Sequence, residues 1–261
     1  MDERKVVLIT GGAMGQGRAH AYKYAENGFD VVLADMQEPT SEAFKETIAH
    51  CESIGAKVLA VKANITSTED MENLFKSAWD TFGRIDVVIA NAGVINFAYT
   101  WELTDEQVEK VININLIGTW RTDKYAAQYM LKQGFGRIIN ISSTNGINTY
   151  YGTPKLATYC MSKWGILGLT KTLAKEVGSK GIIVNALCPT KVKTPMCETM
   201  EYVQFINDLT GKDFKSVEEM YNGVPFLDVE DISSMVYWLG TSREAGKFNG
   251  REVALDLGTL Q

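Results

Sequence analysis

At 261 residues and 45% apolar content, the chain has the material for one large buried core, and a single domain over residues 1–261 is the expectation. A net charge of −6, with Lys and Arg scattered along the chain, gives no electrostatic basis for binding nucleic acid. Cys51, Cys160, Cys188 and Cys197 form no C-x-x-C pair and the histidines are His20 and His50 alone, so no metal site is expected and the cysteines read as reduced, mostly buried thiols.

The opening segment MDERKVVLIT sets charges directly before a short apolar run. It is neither a secretory signal nor long enough to span a membrane, so a cytoplasmic location without membrane partners is expected. The run KVVLIT is followed in turn by DVVLAD, AKVLAVKA, IDVVIANAG, GRIINISS and GIIVNALCP, each leading into a segment of helical period or length, and a last short strand is expected at REVALDL. Continuous Val/Ile/Leu runs of this kind mark parallel strands buried on both faces. Repeated βαβ units predict an α/β, doubly wound, mostly parallel seven-stranded sheet with helices on both faces.

TGGAMGQG directly follows the first run and opens a helix, the context that a phosphate-binding turn requires. Glycine lets the backbone approach a pyrophosphate, and the free N–H groups of the helix start favour anionic oxygens. The spacing, from Gly11, Gly15 and Gly17, is T-G-x-x-x-G-x-G and not G-x-G-x-x-G. A tight ligand-free turn is the alternative reading of the glycines. The second run ends in Asp35, whose carboxylate is placed to accept from adenosine ribose hydroxyls and to repel a 2′-phosphate, which favours NAD over NADP. Met14 offers no cation to such a phosphate; Arg18, on the helix, is the one candidate that does.

Tyr159 and Lys163 stand four residues apart in ATYCMSKWGILGLTK, so on a helix they share a face one turn apart and reach the same substrate atom. Alone, such a pair is most often packing plus a solvated neighbour. Tyr151 and Lys155 repeat the spacing, but Pro154 belongs in a helix's first turn and leaves Tyr151 outside it, so this second pair is rejected. Cys160 has no histidine in its motif and reads as packing. Residues 190–226 break the βα rhythm, carrying Met196, Met200, Tyr202, Phe205, Met220, Tyr221 and Phe226, and this long insertion at a strand's C-terminal end suits a substrate lid.

TGGAMGQG, Asn91-Ala92-Gly93, Asn115 in ININLIGTW, Ser143 in NISSTNG and Tyr159-x-x-x-Lys163 occur in an order that resembles the short-chain dehydrogenase/reductase family, over nearly the whole chain. GQGRAHA, PTKVKTPM and VEDIS are similar to its carveol dehydrogenase-like, mycofactocin-associated branch. The resemblance implies a Rossmann-type fold, a nicotinamide cofactor, an alcohol–ketone reaction and a homotetramer. It also implies that Tyr159 is the general acid/base, that Ser143 bonds the substrate oxygen with Ser142 as rival, that Lys163 holds the nicotinamide ribose and lowers the tyrosine pKa, and that Asn115 supports a water relay. Cofactor contacts are implied at Gly11, Met14, Gly15, Gln16, Gly17, Asp35, Asn64, Ile65, Asn91, Ala92, Gly93, Tyr159, Lys163, Pro189, Val192 and Thr194, with Val192 and Thr194 on the carboxamide. Asn64 replaces the family's more usual Asp, Thr190 its usual Gly, and sixteen residues separate Ser143 from Tyr159, about three more than is usual, which predicts an enlarged loop beside the substrate.

Bringing a phenol from a pKa near 10 to about 7 takes roughly 4 kcal/mol of preference for phenolate. One cation about 4 Å away supplies on the order of 4 kcal/mol at an effective dielectric of 20. The expected function is therefore NAD-dependent interconversion of a secondary alcohol and a ketone, on an apolar cyclic molecule such as a terpenoid alcohol or a hydroxysteroid. Two alternatives stay open: an inactive NAD-sensing or scaffold protein, and a dehydrogenase whose NAD does not exchange and is recycled by another carrier.

Overall fold

The structure, a computed structural model, describes residues 4–147 and 152–258. Seven strands form one sheet: β1 (Lys5–Thr10), β2 (Phe29–Asp35), β3 (Val58–Lys62), β4 (Val87–Ala90), β5 (Gly136–Ile141), β6 (Ile182–Pro189) and β7 (Glu252–Leu255). Their spatial order is β3-β2-β1-β4-β5-β6-β7 and every neighbouring pair is parallel. All seven apolar runs are strands, so the doubly wound expectation holds, with parallel pairing throughout the sheet.

Alternation along the strands divides the core. Val7, Ile9, Val31 and Leu33 pack on one face with Tyr24 of α1 (Gly15–Glu26) and with Val236 and Leu239 of the helix Val229–Thr241. Their neighbours Val6, Leu8 and Val32 pack on the other face with Leu74 and Phe75 of α3 (Thr68–Phe82) and Met130 of α5 (Gly118–Gln133). Successive side chains of a strand point to opposite faces, so a strand covered on both sides must be apolar at every position. Of the remaining helices, α2 (Glu42–Ser53) follows β2, α4 (Asp105–Val111) precedes a π-helical stretch Ile112–Ile117 that runs into α5, and α6 (Ala157–Val177) leads to β6. Between β6 and the last α-helix, α9 (Val229–Thr241), lie α7 (Met200–Thr210) and α8 (Val217–Gly223), whose apolar faces form a separate cluster around Tyr202, Val203, Phe205, Ile206 and Met220.

The order of strands reverses between β1 and β4. The carboxyl ends of these two strands therefore diverge into loops that cross to opposite faces and leave a crevice between them, where ligands of open α/β sheets bind.

Candidate active site

The crevice is stitched at its base. Thr10 Oγ1 accepts from the backbone N–H groups of Asn91 (3.1 Å) and Ala92 (3.2 Å), while the Asn91 amide donates to the carbonyls of Thr10 (3.0 Å) and Gly11 (3.3 Å). Gly11 has φ +66°, and a Cβ there would lie 3.1 Å from the Ala92 Cα. At Gly17 a Cβ would overlap the Gly11 carbonyl and come within 3.0 Å of Asn91 Nδ2. The glycines thus let three backbone segments close on one another above β1 and β4.

A cleft of about 350 Å³ opens over this turn, walled by Gly11, Met14, Gly15, Gln16, Asp35, Asn64, Ile65, Asn91, Ala92, Gly93 and Thr194. These are eleven of the residues expected around the cofactor. Helix α1 starts at the cleft with no side-chain cap and no acid in its first turn, whereas Ser41, Ser67 and Thr104 cap α2, α3 and α4. Its first N–H groups are left for an anion. The buried Gln16 Oε1 has no partner. An uncapped helix start, a glycine cradle and an orphaned acceptor fit a dinucleotide.

Asp35 closes the far end, its carboxylate accepting from Ala13 N and Gln37 N at 3.3 Å each. Arg18, weighed above as a cation for a 2′-phosphate, is committed elsewhere. It donates to the carbonyls of Ala13 (3.0 Å) and Ala43 (3.2 Å) and to Thr47 Oγ1 (3.1 Å), and pairs with Glu46 at 2.6 Å.

Tyr159 and Lys163 project from α6 toward the ends of β5 and β6. With Ser143, Asn91, Gly93 and Pro189 they line a small chamber of about 70 Å³ continuous in its residues with the cleft. Lys163 is buried; its ammonium donates to the Ile141 carbonyl at 2.8 Å and stands 5.3 Å from the centre of the Tyr159 ring. Burial pulls the lysine pKa down to about 8 and pushes the tyrosine up to about 12, with the Ser143 hydroxyl opposing the latter. The expected depression of the tyrosine is thus absent from the protein by itself, because desolvation of the phenolate outweighs what the protein's own charges supply.

The serine rivalry resolves on geometry. Ser142 Oγ donates to the Lys163 carbonyl at 2.9 Å and is held inside the fold. Ser143 lies beside the phenol, its hydroxyl 3.4 Å from the Pro189 carbonyl and accepting from Asn145 N at 3.2 Å. Asn115 lines neither the cleft nor the small chamber. Fully buried in the π-helical stretch, its amide brackets Val94, accepting from Val94 N (2.8 Å) and donating to Val94 O (2.9 Å), and also donates to Ser162 Oγ at 3.2 Å. Both of its amide hydrogens are committed, and one lone pair of its Oδ1.

Three further expectations need correction. Gly17 is a packing residue one turn inside α1 and does not wall the cleft. Val192 is turned into the core beside Leu227, so its side chain faces away from the cleft, although the residue borders the neighbouring cavity. Lys155 of the rejected pair also lies outside the helix, which begins only at Ala157; it has φ +66° and its ammonium pairs with Asp208 of α7 at 2.5 Å. Tyr151 lies outside the described residues, as do residues 148–150 of the enlarged loop expected there.

Past the phenol, a cavity of about 260 Å³ extends from Ser143 and Tyr159 to an apolar wall of Ile95, Leu156, Tyr202, Phe205, Ile206 and Leu209. Its outer side is built by residues 190–226, with the Phe97 and Phe205 rings 4.6 Å apart. Five polar members of this cavity, Thr144, Asn145, Thr153, Thr190 and Lys191, were not among the site residues expected from the sequence. Only the position of Thr190 and Lys191 directly after the strand-ending Pro189 was a signal for them.

The profile of the short chain dehydrogenase family matches residues 5–202. A (−)-trans-carveol dehydrogenase of Rhodococcus erythropolis is 34% identical with 98% of each chain covered, and an uncharacterised NAD-dependent oxidoreductase of Mycobacterium tuberculosis is 36% identical over 98% of this chain and 96% of its own. Among solved structures, carveol dehydrogenase from Mycobacterium avium in complex with NAD superposes with a TM-score of 0.91 at 28% identity, covering 99% of this chain and 98% of that one. The topology, the glycine turn under an uncapped helix and the serine–tyrosine–lysine grouping agree with these matches: the chain belongs to the short-chain dehydrogenase family.

Proposed function

We propose that this protein is an NAD-dependent oxidoreductase that interconverts a secondary alcohol and a ketone on a compact, largely apolar cyclic molecule. The observation that carries the reading is that Ser143 and Tyr159 stand at the junction of the cofactor cleft and a cavity with one apolar wall, formed by Ile95, Leu156, Tyr202, Phe205, Ile206 and Leu209. Bound in the cleft, the cofactor would supply the redox chemistry, oxidised NAD accepting hydride and NADH donating it. Tyr159 Oη takes the hydroxyl proton during oxidation and returns it during reduction, while Ser143 Oγ donates to the substrate oxygen. Lys163, held by the Ile141 carbonyl, fixes a positive charge beside the phenol and has donors to spare for the nicotinamide ribose. Asp35 takes the adenosine ribose. Asn115 acts through Val94, holding the segment after β4 against α6; a relay water would use its main-chain carbonyl, which also accepts from Thr119 Oγ1 at 2.7 Å.

A cavity of about 260 Å³ falls at the small end of ligand pockets, roughly 300 Å³ and upward, and favours a monocyclic terpenoid over a steroid. Residues 190–226 serve as the substrate lid within a single domain. No described helix is long and apolar enough to cross a membrane, and the cytoplasm is the proposed location. Exposed Trp120, Met161 and Trp164 on α5 and α6 favour a homo-oligomer, a tetramer by family likeness, which light scattering tests. The reaction is tested by NADH formation against a panel of cyclic secondary alcohols. Turnover sustained by added NAD is expected; NAD binding with no turnover on any alcohol or ketone favours a sensor, and a single turnover per protein favours non-exchanging NAD.

A further inference from the structure

A lysine without a counterion borders the substrate cavity. Lys191 follows the end of β6, and its backbone is fixed by a hydrogen bond from Leu227 N to its carbonyl at 2.9 Å. The residue is partly buried, walling the cavity together with Cys197, Asn145 and Thr153, and the Cys197 thiol is close enough to act on its ammonium. Burial holds its pKa below the ordinary lysine value. Two residues on, Lys193 is satisfied by Asp228 at 2.8 Å; Lys191 has no such acid among the described residues. No carboxylate walls the cavity, and residues 148–151, Asn-Thr-Tyr-Tyr, include none. Nor does Lys191 wall the cofactor cleft or the small chamber beside it, which sets it apart from the residues that would hold the dinucleotide. A cation taken partly out of water without a partner is disfavoured, and a ligand anion that enters beside it makes a charge-assisted hydrogen bond stronger than a neutral one.

We propose that Lys191 is a specificity-determining residue that receives a carboxylate on the substrate, so that the cyclic molecule is apolar along Leu156, Tyr202 and Phe205 and anionic at one edge. This rests on reading the cavity as the substrate chamber. The carboxylate would lie against the Lys191 ammonium, while the carbinol carbon faces Ser143 and Tyr159 in the same cavity.

The test is calorimetric titration of cyclohexanecarboxylate and, separately, cyclohexanecarboxamide into the protein saturated with NAD. The carboxylate is expected to bind at least about tenfold more tightly than the carboxamide, a difference of about 1.4 kcal/mol. Lys191→Met and Lys191→Gln should bring that ratio close to one, and Lys191→Arg should retain it. A ratio near one in the unsubstituted protein, a ratio unchanged by Lys191→Met, or no binding of the carboxylate overturns the proposal. A second arm follows NADH consumption with 4-oxocyclohexanecarboxylate and 4-methylcyclohexanone. A Lys191-dependent binding preference with neither ketone reduced upholds the anion site and removes the alcohol–ketone reading. Reduction of the neutral ketone with no preference for the acid does the reverse.

Discussion

The glycine turn makes a quantitative prediction through Gly17→Ala. The added Cβ would overlap the Gly11 carbonyl and lie 2.8 Å from the Gly11 carbonyl carbon and 3.0 Å from Asn91 Nδ2. Two of these three neighbours are backbone, and the third is the amide that joins β1 to β4, so nothing at the contact yields without moving the turn. Overpacking of this kind costs about 1–3 kcal/mol. For a chain of this size each kcal/mol lowers Tm by about 2–4 °C, which puts the loss at about 2–12 °C. The same displacement opens the cradle, so affinity for NAD should fall by at least about tenfold. Gly28→Ala is the control: with φ +81° and nothing within 4 Å of its Cβ, it should lose about 1–2 kcal/mol to backbone strain alone and bind NAD as before. Thermal melts with and without NAD, together with fluorescence titration of NADH, read both quantities. If Gly17→Ala binds NADH with unchanged affinity, the cradle argument is refuted.

Tyr159→Phe should lower kcat by about 10²–10⁴-fold, the range for one positioned acid/base, with NAD affinity within about threefold of the parent; retained turnover would remove the phenol from the mechanism. Lys163 has a native pKa of about 8 against 10.5 ordinarily, so between those values the unfolded chain binds more protons and stability rises with pH. Below pH 8 the burial cost is present in full, roughly 3 kcal/mol, and Lys163→Met relieves it while orphaning the Ile141 carbonyl at a cost of about 1–2 kcal/mol. The variant should therefore be inactive yet more stable at pH 7 by about 1–2 kcal/mol, an advantage that shrinks toward pH 10.5; a variant destabilised equally at all pH values by urea titration would contradict this. Asp35→Ser should lower the ratio of kcat/KM with NAD to that with NADP by at least about tenfold, and an unchanged ratio would show that the ribose contact lies elsewhere.

Much of the fold is legible because the sheet is covered on both faces. Val6-Val7-Leu8-Ile9 cannot alternate with polar residues when odd and even positions both meet helices, and an uninterrupted apolar run is the result. The glycine turn and the Tyr159–Lys163 spacing are legible for a similar reason, since each needs a specific residue type at a fixed offset. What was hidden depends on long-range packing. Nothing in ININLI marks a π-helical stretch, yet that local widening carries Asn115 and turns its amide onto Val94. Ser142 and Ser143 are adjacent and chemically equal, and only the opposite directions of successive residues in the extended chain leaving β5 send one to the Lys163 carbonyl and the other to the phenol. The expected lowering of the Tyr159 pKa assumed charge without burial. Lys191 went unnoticed because an isolated lysine after a strand is ordinarily solvated; its meaning comes from the cavity it shares with Tyr202, Phe205 and Leu209 of α7.

The commitments of Arg18 bear on how this protein would have to change to accept the phosphorylated cofactor. In many design problems the nearest cation is simply recruited, but here the guanidinium clamps α2 to the glycine turn through Ala13, Ala43, Thr47 and Glu46, and withdrawing it would loosen the very cradle that holds the dinucleotide. A switch must instead import its positive charge from outside that clamp. Met36, strongly exposed at the mouth of the cleft and adjacent to Asp35, is the position free to carry it. Selection for NAD is therefore locked twice, once by a carboxylate that repels and once by an arginine that cannot be spared, and drift toward NADP would require two coordinated substitutions.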